Sequence, residues 1–291
     1  MTIQIGLLLA LLCAFVTNLA FFYKHRGACE VPPVDVRHPL RTARSLLGSR
    51  WFALGIVIAI GAWILHVAAM AMAPLSVVQV VLAGGVVLIG VMAERLFGFA
   101  VGRRQWVGLG LTAAGLVALA VTVPGTHGAH SAFSVPAMIT FEAVLFGIGG
   151  LLIMGPRAGA RAEHHGTMLG AAAGILFGVS DVSLKALTGI VGAHGVVGLI
   201  SPWLGVAIAA SVIAFYASAR GLQDGEAVPV IAVTGAAANI SAIAGGILVF
   251  GDPLPGDALG IVVQALGLVA VIVASAIAPA PLRAAASAAP A

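Results

Sequence analysis

The chain of 291 residues is 61% hydrophobic and only 8% charged, whereas soluble proteins carry about 25% charged residues. This composition excludes a soluble globular protein and predicts an all-α integral membrane protein that crosses the bilayer many times. The formal net charge of +4 would suggest nucleic-acid binding in a soluble protein. Membrane topology explains it better here, so nucleic acid is not an expected partner.

Nine apolar segments follow one another along the chain, each about 20 residues long, which is the length of a membrane-spanning helix. We predict them at 3–23, 51–71, 74–96, 105–123, 135–154, 166–190, 197–219, 227–250 and 254–278. The connecting loops are short, except for a partly irregular loop over 24–50. The tail over 279–291 is rich in Ala and Pro and is expected to be disordered.

The basic residues indicate the topology. If nine helices alternate in direction, all 14 Lys and Arg residues except Lys185 lie in or beside loops on one side of the membrane. Because cytoplasmic loops carry an excess of Lys and Arg, we expect the N-terminus outside and the C-terminus in the cytoplasm. The expected location is the cell inner (cytoplasmic) membrane.

The first four and the last four predicted segments resemble each other and form a pair of four-helix repeats. Pro74 and Pro229 each open a helix rich in small residues, and Asn18 aligns with Asp181 in the first helix of each repeat. Because one odd helix lies between them, the repeats are inverted, which is typical of transporters with a substrate site near the midplane. The predicted units are the first repeat at 1–123, a connecting helix and its loops at 124–165, the second repeat at 166–278, and the tail at 279–291.

Several motifs resemble those of the drug/metabolite transporter superfamily. A motif similar to the third helix of small multidrug resistance proteins is formed by Pro74, Leu75, Ser76, Val77, Gly84, Gly90, Glu94 and Arg95. The stretch from Asn239 to Asp252 looks like the final block of EamA-type transporters, with Asp252 in place of Glu. The nine-helix layout is most similar to bacterial relatives of NIPA-type magnesium transporters. The first helix departs from the small exporters, because Asn18 stands where they use a proton-coupling glutamate.

Two charged side chains, Asp181 and Lys185, lie inside the sixth predicted segment, one helical turn apart on the same face. A charge at membrane depth costs roughly 2.5–3.5 kcal/mol and usually has a function. One interpretation is a substrate or ion site in which Asp181 binds a cation or proton and Lys185 is its gate or counter-ion. The alternative is a structural ion pair between helices. A third arrangement has Lys185 reaching the outer surface, which leaves Asp181 as the buried charge.

Six further polar residues complete the candidate pathway. Asn18 is the repeat-related partner of Asp181, and it either completes a polar site or hydrogen-bonds a neighbouring helix. Glu142 lies about two turns into the fifth segment, where it lines an outer vestibule, reaches the interface or meets a hydroxyl partner. Four single polar residues either contact the transported species or join helices: His66, Gln79, Asn239 and Gln264. No nucleophile–base set and no metal-ligand cluster is apparent, so no enzyme activity, cofactor or resident metal is expected.

These features predict a secondary transporter that moves a small solute or cation by alternating access. The alternative is a magnesium or divalent-cation transporter of NIPA type, with carboxylate oxygens from Asp181 and Glu142, although Lys185 would repel the ion. A non-transporting membrane scaffold or assembly factor would explain the helices but not the charges inside them. The expected partners are the lipid bilayer and a small solute, proton or cation, with a homodimer as one option.

Overall fold

The computed structural model describes residues 2–35, 37–72, 81–82, 85–122, 133–155, 158–251 and 255–277. Within these ranges the chain is helical and has no β-strand, as the composition predicted. The α-helices of ten or more residues are α1 (Thr2–Cys29), α2 (Pro39–Gly48), α3 (Arg50–Met72), α4 (Val87–Leu96), α5 (Arg103–Thr122), α6 (Val135–Met154), α7 (His165–His194), α8 (Pro202–Asp224), α9 (Ala227–Phe250) and α10 (Ala258–Ile277). Two short 3-10 helices, Ala162–His164 and Gly195–Leu199, flank α7.

The helices include several that can cross a membrane. Five stretches are long and apolar enough: Leu8–Cys29, Val135–Met154, Ala162–Leu199, Pro202–Asp224 and Ala227–Phe250. The pair of α2 and α3 forms a sixth candidate, bent by 89°, and α10 contains a shorter apolar stretch. The chain is therefore a multi-pass membrane protein. The count of nine spans stays a prediction, because much of the third segment (73–80 and 83–84) lies outside the described residues.

The predicted helix bounds agree best with the structure where a proline begins the helix or a glycine ends it. The bounds of α6 and α9 are those expected, with Pro136 in the first turn of α6 and Gly251 in the left-handed conformation (φ 68°) after α9. Both α1 and α7 run several residues beyond the predicted spans. The loop over 24–50 holds a helix, α2, that the sequence pattern did not predict.

Contacts between neighbouring helices define their relative directions. The Cys13 thiol donates a hydrogen bond to the Ala62 carbonyl (3.2 Å), and Gly27 lies against the backbone of Phe52, so α1 and α3 are antiparallel. In the second half, the hydroxyls of Ser180 and Ser211 hydrogen-bond at 2.9 Å. A contact of Gly166 with Gly225 completes the same antiparallel arrangement for α7 and α8.

A stripe of three glycines on α7 packs against α9. Gly170 lies beside Val230, and Gly178 lies beside Ser241, so the two helices run parallel. Between them, a side chain at Gly174 would overlap the carbonyl oxygen of Thr234. Glycine therefore allows the backbones to approach closely.

Helices α5 and α10 pack against each other in opposite directions. Gly115 lies against the carbonyl of Gly267, while Gly108, two turns earlier, lies near Ala274. This antiparallel pair joins the fourth and ninth predicted segments, one from each half of the chain.

The ends of several helices meet at one end of the bundle. Gln105, near the start of α5, donates a hydrogen bond from Nε2 to Glu226, just before α9 (2.8 Å). The end of α1 meets the end of α8, where the Cys29 thiol donates to the Leu222 carbonyl (3.7 Å). We call this the basic end, because the helix ends that meet there carry Lys24, Arg26, Arg50, Arg103, Arg104 and Arg220.

Candidate functional site

Glu142 is the one carboxylate that is fully buried among the residues the structure describes, with 4% of its surface exposed. Its Oε1 accepts a hydrogen bond of 2.6 Å from the Ser183 hydroxyl, which is itself completely buried. A buried carboxyl group is costly without such a partner. Of the three surroundings considered for Glu142, the structure shows the hydroxyl partner, which links α6 to α7.

Asp181 has a different environment. It lies near the middle of α7, 16 residues after His165, which is about 24 Å along the helix axis from the basic end. Its side chain is exposed on the isolated chain. Within the described part of the chain, no hydrogen bond or ion pair reaches its carboxylate. Asp181 is thus a carboxylate at membrane depth that is accessible to a ligand.

The direction in which Asp181 points follows from the contacts of its neighbours. On α7, Ser180 contacts α8 through Ser211, whereas Gly178 contacts α9 through Ser241. Successive helix residues are rotated by about 100°, which places Asp181 between these two contact faces. It therefore faces the gap between α8 and α9. Helix α1 of the first half packs against both α8 and α9.

Lys185 lies on α7, one turn beyond Asp181, and its side chain reaches the C-terminal end of α9. Its ammonium Nζ is 4.3 Å from the centre of the Phe250 ring, a cation–π contact. Phe250 is the last residue of α9, so the ammonium is also near the negative end of that helix dipole. Among the ion pairs between described residues, none joins Lys185 to Asp181.

Asn18 lies inside the first half of the chain. Its Nδ2 donates a hydrogen bond to the carbonyl of Gly85 (3.1 Å), and the side chain is buried. Gly85 also lies against Ala14, so α1 and the third segment run side by side. No hydrogen bond between described residues connects Asn18 to Asp181.

The other four candidates are not brought together by the described contacts. His66 on α3, Asn239 on α9 and Gln264 on α10 are each half-buried, on three separate helices. Gln79 lies outside the described residues, as do Asp252 and the tail over 279–291. In the described part of the chain, no three His, Cys, Asp or Glu side chains gather as they would to hold a metal ion.

Two polar contacts were not predicted from the sequence, one at Ser183 beside the site and one at Glu226 at the basic end. Ser183 was not singled out because serine is common in membrane helices and gives no signal by itself. Glu226 was also missed, because it precedes the apolar run of α9. Burial raises the pKa of the Glu226 carboxyl above its ordinary value, and the hydrogen bond from Gln105 opposes that rise. Ser183 could have been found from the close spacing of four polar residues on α7: Ser180, Asp181, Ser183 and Lys185.

Comparison with known proteins finds one curated relative. The chain is 24% identical over 260 residues to the probable magnesium transporter NIPA9 of Arabidopsis thaliana, and the match covers 86% of this chain and 74% of the relative. The resemblance to NIPA-type proteins, predicted from the layout of apolar segments, is thereby confirmed. No family model and no solved structure matches the chain.

Proposed function

We propose that the chain is a secondary transporter that moves a small solute or cation by alternating access, with Asp181 as the group that binds the cation or proton. The observation that carries this proposal is the accessible Asp181 carboxylate in the middle of an apolar helix. Lipid is a costly environment for such a group, so it faces a polar cavity or a bound cation instead. The similarity to a relative named as a transporter supports the same class of function.

The helix directions support an inverted repeat. In each half, the first two spans pack antiparallel, as α1 with α3 and α7 with α8. Each first span also runs parallel to the third of its half. Helix α1 meets Gly85 at Ala14 and Phe97 at Phe22, and α7 runs beside α9 as described above. The corresponding fourth spans, α5 and α10, run in opposite directions against each other. We infer that a pseudo-twofold axis passes between α5 and α10, relating the units 1–123 and 166–278.

The proposed orientation places the basic end in the cytoplasm, the N-terminus outside and the C-terminus inside, in the inner membrane of the cell. Cys29 lies exposed at the basic end, whereas Cys13 is buried. An impermeant maleimide should therefore label Cys29 in inverted membrane vesicles and not in intact cells. Labelling in intact cells would reverse the orientation.

The second candidate is transport of Mg²⁺ or another divalent cation. The name of the relative favours it. The ammonium of Lys185 lies on Phe250, one turn beyond Asp181, and its positive charge still opposes a divalent cation there. Mg²⁺ prefers oxygen ligands and keeps several waters, so one or two carboxylates are sufficient. Asp181 is then the first ligand, and Glu142 would become a second only after a movement of α6, because Ser183 lies about 200° around α7 from Asp181.

The proposal is tested by flux into proteoliposomes, with Mg²⁺, amines and amino acids as the panel of substrates. We expect Asp181→Asn to reduce the flux of the accepted substrate about tenfold or more, the effect of losing roughly 1.4 kcal/mol of interaction. The control is Glu163→Gln, an exposed carboxylate at the basic end. Unchanged flux in Asp181→Asn would remove Asp181 from the pathway. If the wild-type chain transported none of these substrates, the result would instead favour a non-transporting membrane scaffold.

A further inference from the structure

A cavity of about 580 Å³ opens at the basic end, away from the candidate pathway. It is formed by the end of α1, the start of α3 and the turn after α4. All of its lining residues belong to the first half of the chain. Its size falls in the usual range for small-molecule sites, about 300–1,000 Å³.

Aromatic rings form the inner wall of this cavity. Phe22 on α1 is buried and stacks on Phe97, with ring centres 4.7 Å apart, and on Phe99 at 6.1 Å. Both rings reach Phe22 because Gly98 between them has a φ of +67°, a left-handed conformation that favours glycine. This wall provides an apolar surface for a chain or ring.

Two charged residues line the mouth of the cavity, Arg26 and Glu30, and the guanidinium of Arg50 lies 5.2 Å from the centre of the neighbouring Trp51 ring. The guanidinium of Arg26 lies 4.0 Å from the centre of the Trp51 ring, which stacks on Tyr23. Its Nε is 3.8 Å from Glu30 Oε1, which is longer than a hydrogen bond, and both side chains are about half exposed (53% and 47%). Glu30 Oε2 also accepts a hydrogen bond from the Ser49 hydroxyl (3.4 Å), and both charged groups keep further donors and acceptors for a ligand. Trp and Tyr at this position are typical of the membrane–water interface.

Helix α2 gives an independent indication that this mouth lies at the membrane surface. It meets α3 at 89°, immediately beside Trp51. Its Thr42 and Leu46 face the protein, whereas Leu40 and Leu47 are exposed. A helix perpendicular to a spanning helix, with leucines on its free face, is placed to lie in the plane of the bilayer surface.

We propose that this cavity binds a phospholipid with a zwitterionic ethanolamine head group from the leaflet at the basic end. The phosphate accepts hydrogen bonds from Arg26, the ammonium donates to Glu30, and the upper acyl chain lies against Phe97 and Phe99, the two rings of the wall that are not buried. An anionic head group would satisfy Arg26 but would leave Glu30 next to a second negative charge. The charge pair therefore favours a head group that carries both signs.

The test uses the full chain, purified from vesicles with equal amounts of phosphatidylethanolamine and phosphatidylglycerol, and native mass spectrometry to count retained lipids. We expect phosphatidylethanolamine to be the retained lipid. Glu30→Gln should reduce retention of phosphatidylethanolamine about tenfold, the effect of losing one charge-assisted hydrogen bond. The same variant should retain phosphatidylglycerol as well as the wild type does. Arg26→Gln should reduce retention of both lipids.

The matched controls are Arg161→Gln and Glu163→Gln, an exposed pair at the same end (3.6 Å) outside the cavity, which should change nothing. Glu30→Gln alters an exposed side chain without changing its shape, so the variant is expected to fold. Equal retention of the two lipids by the wild type, or retention unaffected by Glu30→Gln, would overturn the proposal. Displacement of the lipid by soluble glycerophosphoethanolamine would assign the cavity to a free phosphate ester instead and overturn the lipid assignment.

Discussion

The side-chain oxygen of Gln223 accepts a hydrogen bond from the backbone N–H of Val34 at 3.0 Å, which joins the second half of the chain to the first. The same amide donates through Nε2 to the carbonyls of Ala28 (2.8 Å) and Pro32 (3.2 Å). Tyr216, two turns earlier on α8, donates to the Pro39 carbonyl (2.8 Å). The segment between α1 and α2 is therefore fastened to α8 at the basic end.

Replacing Gln223 by leucine should loosen this connection. The change removes three hydrogen bonds, each with a net value of about 1 kcal/mol, and leaves three backbone groups to find water. We expect faster maleimide labelling of Cys29, which lies on the fastened segment, in the Gln223→Leu variant. The matched control is Arg161→Gln, and the buried Cys13 should stay unlabelled in both. An unchanged rate at Cys29 would show that the fastening does not limit access to the basic end.

The hydrogen bond between Ser183 and Glu142 should contribute measurably to stability. Ser183→Ala leaves a buried carboxyl group without its partner, which costs about 1–3 kcal/mol. Glu142→Gln keeps an acceptor for the hydroxyl and should cost less. The measurement is thermal unfolding in detergent, with the double variant to obtain the coupling between the two residues. Ser211→Ala is the control, since it removes a hydroxyl pair without an acidic group. Equal effects of Ser183→Ala and Ser211→Ala would contradict the prediction.

Glu226 should make stability depend on pH. Because burial raises its pKa in the folded chain, the folded state favours the protonated form, and stability is lost as the pH rises through the folded pKa. Glu226→Gln should therefore be more stable than the wild type at pH 7, and the difference should vanish below about pH 4, the ordinary pKa range of Glu. The side chain is partly exposed, so solvent screening should keep the difference under about 1 kcal/mol. Unfolding temperatures at both pH values measure it, with Glu163→Gln as the control. A Glu226→Gln variant that is less stable than the wild type at pH 7 would contradict the prediction.

The close packing of α7 on α9 predicts a contrast between two glycines. A methyl group at Gly174 overlaps the Thr234 carbonyl, so Gly174→Ala should cost about 1–3 kcal/mol. Gly147 on α6 has no atoms near its missing side chain, and Gly147→Ala should be neutral or stabilising by up to about 1 kcal/mol. Thermal unfolding and the yield of monodisperse protein compare the two. Equal stability of the two variants would show that the helices separate without cost.

The bounds of some helices could be predicted from the sequence, whereas other helices could not be predicted at all. The apolar runs of α6 and α9 are bounded by Pro136 and Gly251, which begin and end helices for backbone reasons alone. By contrast, α2 has only ten residues and three leucines, so no apolar run distinguishes it from a loop. Its helical form depends on packing Thr42 and Leu46 against the bundle, which is a tertiary effect.

The same contrast applies to the candidate site. Glu142 and Asp181 could be found because a carboxylate interrupts an apolar run. The hydrogen bond from Ser183 to Glu142 could not be predicted from the sequence. The contact of Lys185 with Phe250, which lies 65 residues away, could not be predicted either. Both depend on the register between helices, which the glycines of α7 set through backbone contacts that no periodicity reveals.

The glycine stripe of α7 also has a mechanical meaning. Backbones in direct contact cannot slide or tilt without overlap, so α7 and α9 move as one rigid body that carries Asp181 and Lys185 together. The contact of Gly115 with the Gly267 carbonyl holds α5 on α10 in the same way. Relative motion is left to the surface between the first half and α8, where side-chain hydrogen bonds such as those of Gln223 hold the halves together. We infer that a hinge in the proposed transport cycle lies outside the pair of α7 and α9, and that Lys185 keeps its place on Phe250 throughout that cycle.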